Sequence, residues 1–318
     1  MIQNTEALVT SAHRSIERAM LSGTLDGLRI LGFGEITVAV AWPAEAPAIV
    51  VKRLPPFPSA SAVSEYRAVL DAWSAELEHR GVALVPTALH TRVSDTWGTV
   101  GYIVQPVVNA DDLLHTRCRD AGEAERQRLL EQVVAALATA VTADIAVDAQ
   151  LPNWVVRDDG TIALLDVSTP LIRDSFGRDR LPAWLFVQGY PAALRAPLSR
   201  WAVPKIIAEY HDPQTALLDV AANMRRVGLG AYIDDLLLAA NASLRTSVTP
   251  AMVRHHFRGN TRMWALMQRL RLWEQGWQRR WRKRPYPMLL PPAYRTRSNY
   301  GTADGEPAAT ASGGRPVG

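Results

Sequence analysis

Asp148, Asn153 and Asp166 stand out in this 318-residue chain for the chemistry that their types and spacing allow. Asn153 follows Asp148 by five positions, and Asp166 closes the apolar run Ile162-Ala163-Leu164-Leu165. Two carboxylates and an amide are oxygen ligands of the kind Mg²⁺ takes. They suffice to hold that ion against a nucleotide triphosphate while one carboxylate orients an attacking hydroxyl. Binding or transfer of a phosphate group is the chemistry to expect. Asp and Asn also favour turns, so the flanking strands carry weight: a short apolar run, Trp154-Val155-Val156, a turn at Asp158-Asp159-Gly160, and the strand that ends at Asp166.

The elements that must position these residues are legible as patterns. Residues 6–21 read as an amphipathic helix. Two runs, 28–31 and 37–42, flank Gly32-Phe33-Gly34-Glu35, a hairpin signature with a glycine-rich turn. A third strand, 48–54, ends in Lys52 and Arg53 and is stopped by Pro55-Pro56-Phe57-Pro58. From Ser61 the period becomes helical, through Val63, Tyr66, Val69, Leu70, Trp73 and Leu77, with Ser61 and Ser64 as candidate caps. Strands are expected at 84–92 and 99–107, then a long helix over 121–142. Beyond the catalytic hairpin the pattern is helical, over 202–210, 213–226, 231–244 and 250–282, with breaks expected at 228–230, 247–250 and Gly259. Residues 301–318 lack periodicity, are rich in Gly, Ala, Pro, Thr and Ser, and read as a disordered tail.

A small antiparallel sheet carrying one helix, followed by a helical part with a catalytic hairpin, resembles the protein-kinase-like superfamily, nearest its aminoglycoside- and choline-phosphotransferase-like branch. The resemblance covers roughly residues 27–245. It implies an α+β, two-lobed fold: a helical extension over 1–26, a nucleotide-binding N-lobe over 27–108, a mainly helical C-lobe over 109–246, a basic Trp/Arg-rich segment over 247–300, and the tail. Ile49-Val50-Val51-Lys52 is similar to the family's V-A-I-K strand, which implies that Lys52 neutralises the α- and β-phosphates of ATP. Its implied partner on the next helix is Glu65, preferred over Glu76 and Glu78. Gly32 and Gly34 would let backbone amides approach the phosphates. Asp148-Ala149-Gln150-Leu151-Pro152-Asn153 matches the D-x-x-x-x-N loop, which implies Asp148 on the acceptor hydroxyl and Asn153 and Asp166 on Mg²⁺. At the hinge Pro106 lacks an N–H, so Val107 would donate to the adenine edge and Gln105 would supply a carbonyl.

Departures from the pattern are local. The third glycine is Thr37; Ala146 and Val147 stand where a histidine and a basic or small residue usually precede the aspartate; and Val167-Ser168-Thr169 replace Phe-Gly after Asp166. No metal ligand is lost, but usual supports are. The expected function is an ATP- and Mg²⁺-dependent phosphotransferase acting on a hydroxyl of a small molecule or peptide. The alternative is a catalytically impaired nucleotide-binding or scaffold protein of the same fold.

Composition sets the bounds. With 48% hydrophobic residues the chain can build a sizeable core, and its one cysteine, Cys118, excludes an internal disulfide and any Cys-rich zinc site. The histidines show no zinc-ligand spacing. No uncharged stretch approaches the roughly 18 residues of a membrane span, and the first twenty residues lack the layout of a secretory signal, so a cytoplasmic location is expected. Net charge is +4, yet residues 251–297 carry twelve Lys or Arg against a single acid, Glu274. Within them Trp264, Met267, Leu270, Trp273, Trp277 and Trp281 recur at steps of three and four. Such a stripe is expected to pack on the helical lobe, while the arginines leave room for an acidic partner. Nucleic acid is not the expected partner.

Overall fold

The computed structural model describes residues 2–244 and 247–290. The expected tail at 301–318 and the last ten residues of the basic segment lie outside the described residues. Helix α1 (Ile2–Ser22) precedes three strands, β1 (Arg29–Phe33), β2 (Val38–Trp42) and β3 (Ile49–Arg53); then come α2 (Ala60–His79), β4 (Ala88–Ser94) and β5 (Gly98–Pro106). These strands form one antiparallel sheet of order β1-β2-β3-β5-β4. Helices α3 (Leu114–Asp120) and α4 (Glu123–Ala140) lead to β6 (Ile145–Ala146), a 3₁₀ turn at Leu151–Asn153, and the hairpin β7 (Trp154–Val156) and β8 (Ile162–Leu164). Strand β9 (Leu171–Ile172) returns to pair with β6. Helices α5 (Trp184–Val187), α6 (Ala192–Pro197), α7 (Val203–Tyr210), α8 (Pro213–Arg226), α9 (Ile233–Leu244) and α10 (Pro250–Arg280) follow within the described residues. The result is an α+β molecule, sheet first and helices after, compatible with a two-lobed layout.

The period-two alternation of β3 divides its side chains between two surroundings. Val51 packs with Val9, Ala12, Ile16 and Met20 of α1 on the outer face of the sheet. Leu54 belongs to the other cluster, with Tyr66, Leu70, Trp73 and Leu77 of α2 and with Leu130, Leu137, Leu151 and Trp154 of the helical part. Lys52 lies on this second side. One continuous apolar core thus runs through α2 from the sheet into the helical lobe.

Several expectations are corrected. Helix α2 begins one residue before Ser61: Ser59, not Ser61 or Ser64, is its N-cap, and Ser59 Oγ accepts from the Ala62 amide at 3.2 Å. The stretch 84–87 stays outside β4, and there the Val85 amide donates to the Leu164 carbonyl of β8 at 2.9 Å, tying the lobes together. Helix α4 starts at Glu123, and the unexpected α3 buries Cys118 just ahead of it. Helix α10 passes through Gly259 without a break, since the surrounding helical positions are held by packing on α8.

Candidate functional site

The hairpin that carries two of the site residues is set by its register. Trp154 pairs with Leu164, and the next rung is closed by the Leu165 amide donating to the Asn153 carbonyl at 2.7 Å. Asn153 and the residue before Asp166 are thereby held side by side. Asp148 lies five residues earlier, between β6 and the 3₁₀ turn, and its carbonyl accepts from Asn153 Nδ2 at 3.1 Å. Because Asn153 spends its amide nitrogen on this bond, Oδ1 is the atom left for a cation.

Lys52 reaches this hairpin from the opposite lobe. Its Nζ lies 3.0 Å from Asp166 Oδ1 and 3.2 Å from the Leu165 carbonyl, although the side chain is only 9% exposed. Ser168 adds two more donors to the same oxygen, through Oγ at 2.7 Å and its amide at 3.2 Å. Burial works to raise the Asp166 pKa, but the Lys52 charge and these hydrogen bonds outweigh it and hold the carboxylate below its usual value. All of the bonds converge on Oδ1, which leaves Oδ2 open to a metal. Ser168, which stands where a glycine is usual, therefore has a structural task of its own.

Glu65 is not the partner of Lys52. Helix α2 turns Ala62, Tyr66, Val69, Leu70 and Trp73 inward, which puts Glu65 about a quarter turn off the buried stripe and in solvent. Tyr66 takes the inward place and donates to the Ser168 carbonyl at 2.9 Å, while Trp73 Nε1 donates to the Ala146 carbonyl at 2.9 Å. Two aromatic donors on α2 thus brace the backbone on both sides of the site, where the sequence lacks the usual histidine. Tyr66→Phe leaves the buried Ser168 carbonyl unpaired and is expected to lower the unfolding free energy by about 1–2 kcal/mol. The expected readout is a lower urea midpoint at unchanged m-value.

At the hinge the Gln105 side chain turns inward. Its Nε2 donates to the Leu165 carbonyl at 2.8 Å and to Thr87 Oγ1 at 3.0 Å, while Val107 is exposed just past the end of β5. Gln105 thus binds β5 to the β7–β8 hairpin, in addition to carrying the backbone carbonyl singled out from sequence. In the glycine-rich turn Gly34 donates to the Thr37 carbonyl at 2.8 Å, and a Cβ on Gly34 would meet Thr37 Oγ1 at 3.1 Å. Gly32 sits at an irregularity in the β1–β2 register and has open space around it.

Residues not singled out from sequence complete the site. Asp219 of α8 accepts from His256 Nε2 at 2.7 Å and from Asn260 Nδ2 at 3.1 Å, and Asn223, one turn on, donates to Gln150 Oε1 at 2.9 Å. Asp219, His256, Asn260 and Gln150, with Glu35 of the glycine-rich turn and Tyr210, line a cavity of about 280 Å³. Burial first, then the charges of Asp166 and Asp219, push Asp148 up to about 7. Burial and the Asp148, Glu35, Asp219 and Asp166 charges likewise raise Tyr210. His256 is raised by its hydrogen bond to Asp219, against burial. The i,i+4 pairs Asp219/Asn223 and His256/Asn260 were the available sequence signal, since each puts two polar groups on one helix face.

A carboxylate tuned to about 7, two residues from the cavity-lining Gln150, is suited to accept a proton from a hydroxyl at neutral pH. Among the described residues, no group of three or more His, Cys, Asp or Glu side chains is placed to hold a metal ion by itself. Asn153 Oδ1 and Asp166 Oδ2 fit Mg²⁺, which commonly takes one or two protein ligands and completes its shell with phosphate and water. No helix among the described residues is long and apolar enough to cross a membrane.

A family model described as "Family of unknown function (DUF6206)" matches residues 23–275, a span that includes every residue of this site. No curated protein matches the chain.

Proposed function

The chain belongs to the DUF6206 family, a family of unknown function, and from its cleft we propose that it is an ATP- and Mg²⁺-dependent phosphotransferase acting on a hydroxyl of a small molecule or peptide. The observation that carries this reading is the 3.0 Å pair between Lys52 Nζ and Asp166 Oδ1, which joins sheet and hairpin beside Asp148 and Asn153. Lys52 would exchange this contact for phosphate oxygens, a move that its three donors and flexible stem allow. Asn153 and Asp166 would hold Mg²⁺, which when bound neutralises charge on the transferring phosphate. Asp148 would orient the acceptor hydroxyl and take its proton. Positioning and fixed charge supply most of the rate in such chemistry.

A second reading, a nucleotide-binding or scaffold module of the same fold with impaired catalysis, is favoured by the glycine-rich turn. Glu35 lies among the acidic groups of the cleft, its carbonyl accepts from Arg271 Nη1 of α10 at 2.8 Å, and burial raises its carboxyl pKa despite the Arg271 charge. A carboxylate on the phosphate-facing turn opposes a polyphosphate unless protonated or turned away.

Thermal unfolding with ATP and Mg²⁺, each alone and together, tests the first reading. A rise in Tm that requires both supports it, because a ligand bound only to the folded state stabilises by mass action. No rise with either would refute nucleotide binding, and a rise without phosphate transfer to any hydroxyl compound would favour the second reading.

A further inference from the structure

The C-terminal half of α10 buries a few polar side chains and exposes large apolar ones. Gln268, Arg271 and Glu274 are buried, Arg271 to 2% exposure, while Leu266, Trp273, Trp277 and Trp281 stand 59%, 59%, 42% and 74% exposed. The buried polar stripe holds the molecule together: Arg271 reaches the Glu35 carbonyl and sits 4.9 Å over the Tyr190 ring, and Arg279 donates to the Met20 carbonyl of α1 at 2.8 Å. Of the apolar stripe expected to pack on the helical lobe, Met267 and Leu270 do pack against its core, while Trp273, Trp277 and Trp281 face outward, the reverse of that expectation.

The exposed tryptophans form a ladder. Trp273 and Trp277 stack at 6.0 Å with planes 10° apart, and Trp277 and Trp281 at 5.9 Å and 26°. Leu266 and Met263 continue the stripe toward the helix start, so that from Leu266 to Trp281 it runs for about 22 Å. At about 100° per residue, Arg262, Arg269 and Arg280 fall on one line at its border, within roughly 20° of each other. Arg282, Lys283 and Arg284 follow its end, and the one acid between Pro250 and Leu290, Glu274, is buried. Every exposed charge of that segment is therefore positive.

We propose that this face is a docking surface for an anionic lipid membrane, with α10 lying along the bilayer surface. Tryptophan favours the headgroup boundary, where its apolar ring and its N–H meet different surroundings. Arginines beside an apolar stripe add attraction to anionic headgroups. Charge complementarity alone would also suit a nucleic acid, but bases stack on free aromatic faces. Here the rings already stack on one another, Trp277 with both of its neighbours, and the aliphatic Leu266 and Met263 offer a base nothing to stack on. The docking surface is independent of the phosphotransferase reading.

The test is co-sedimentation of the full chain with vesicles of phosphatidylcholine alone and of phosphatidylcholine with an equal part of phosphatidylglycerol. Binding to the anionic vesicles and not to the neutral ones is expected. The triple variant Arg262→Glu, Arg269→Glu, Arg280→Glu should weaken it on the order of a hundredfold or more, at about fivefold per lost cation. The variant Trp273→Ser, Trp277→Ser, Trp281→Ser changes exposed side chains only, should keep the wild-type circular dichroism, and should also lose binding. Failure of the wild type to bind anionic vesicles would overturn the proposal, as would undiminished binding by the charge-reversed variant. So would either of two other outcomes: a concentration-dependent dimer abolished by the tryptophan variant without vesicle binding, or single-stranded RNA outcompeting the vesicles for the same face.

Discussion

Asp166→Ala is expected to reduce phosphate transfer from Mg·ATP by on the order of 10² or more. In the proposed reaction the carboxylate works with both oxygens: Oδ1 gathers Lys52, Ser168 Oγ and the Ser168 amide, and Oδ2 would hold Mg²⁺. Alanine removes both functions. It also strands the Lys52 ammonium, which is almost fully buried and retains only the Leu165 carbonyl. An unpaired buried charge is costly, typically about 3–5 kcal/mol when one member of a buried pair is removed, so the variant should also unfold at lower urea. Asp166→Asn separates the two effects. Its amide oxygen can still accept from Lys52, so more stability is retained, while the loss of charge toward Mg²⁺ keeps turnover low. ADP release at saturating ATP and a urea melt of each variant check the pair. Turnover near wild type in Asp166→Ala would end the assignment.

Asp148→Asn should have effects of opposite sign on chemistry and stability. As the group proposed to take the acceptor proton, Asp148 is expected to be worth roughly 10²–10⁴ in rate. For folding it is a liability at high pH. Burial and the nearby Asp166 and Asp219 carboxylates push its pKa up to about 7, so the folded state binds this proton more tightly than the unfolded chain does. The stability it contributes is present below about pH 4 and is lost as pH climbs through about 7. Asparagine cannot ionise. Asp148→Asn should therefore be more stable than the wild type at pH 8, by on the order of 2–4 kcal/mol, and nearly equal to it at pH 4. Thermal melts of both proteins across pH 4–8 test this. A constant difference over that range would show that Asp148 is not held in its protonated form by its surroundings.

The parts of the site that sequence discloses are those built by short-range geometry. Asn153 and Asp166 belong to one hairpin, and its register follows from the two apolar runs and the Asp159-Gly160 turn between them. Lys52 was marked by its position at the end of a β-branched strand, and the sheet places it on the face toward the hairpin. Glu65 shows where this reasoning stops. The rotational phase of α2 depends on which residues the second lobe buries, and Tyr66 outcompetes its neighbour because a ring and a hydroxyl satisfy both the core and the Ser168 carbonyl.

Asp219, His256, Asn260 and Tyr210 come from three helices that meet only in the folded molecule, so no spacing in the chain announces them. The same limit applies to α10. Its periodicity reveals an apolar stripe, but not that Arg271 and Glu274 go inside while the tryptophans from Trp273 onward stay outside. That inversion depends on partners far away in sequence, the Glu35 carbonyl and the Tyr190 ring among them.

The most direct test of the central claim is a crystal structure with a nonhydrolysable ATP analogue and Mn²⁺ in place of Mg²⁺, read by the anomalous signal of the metal. The account predicts the metal about 2.2 Å from Asn153 Oδ1 and Asp166 Oδ2, with Lys52 Nζ moved from Asp166 onto a phosphate oxygen. A cleft without nucleotide at saturating analogue, or a metal bound away from both side chains, would contradict it.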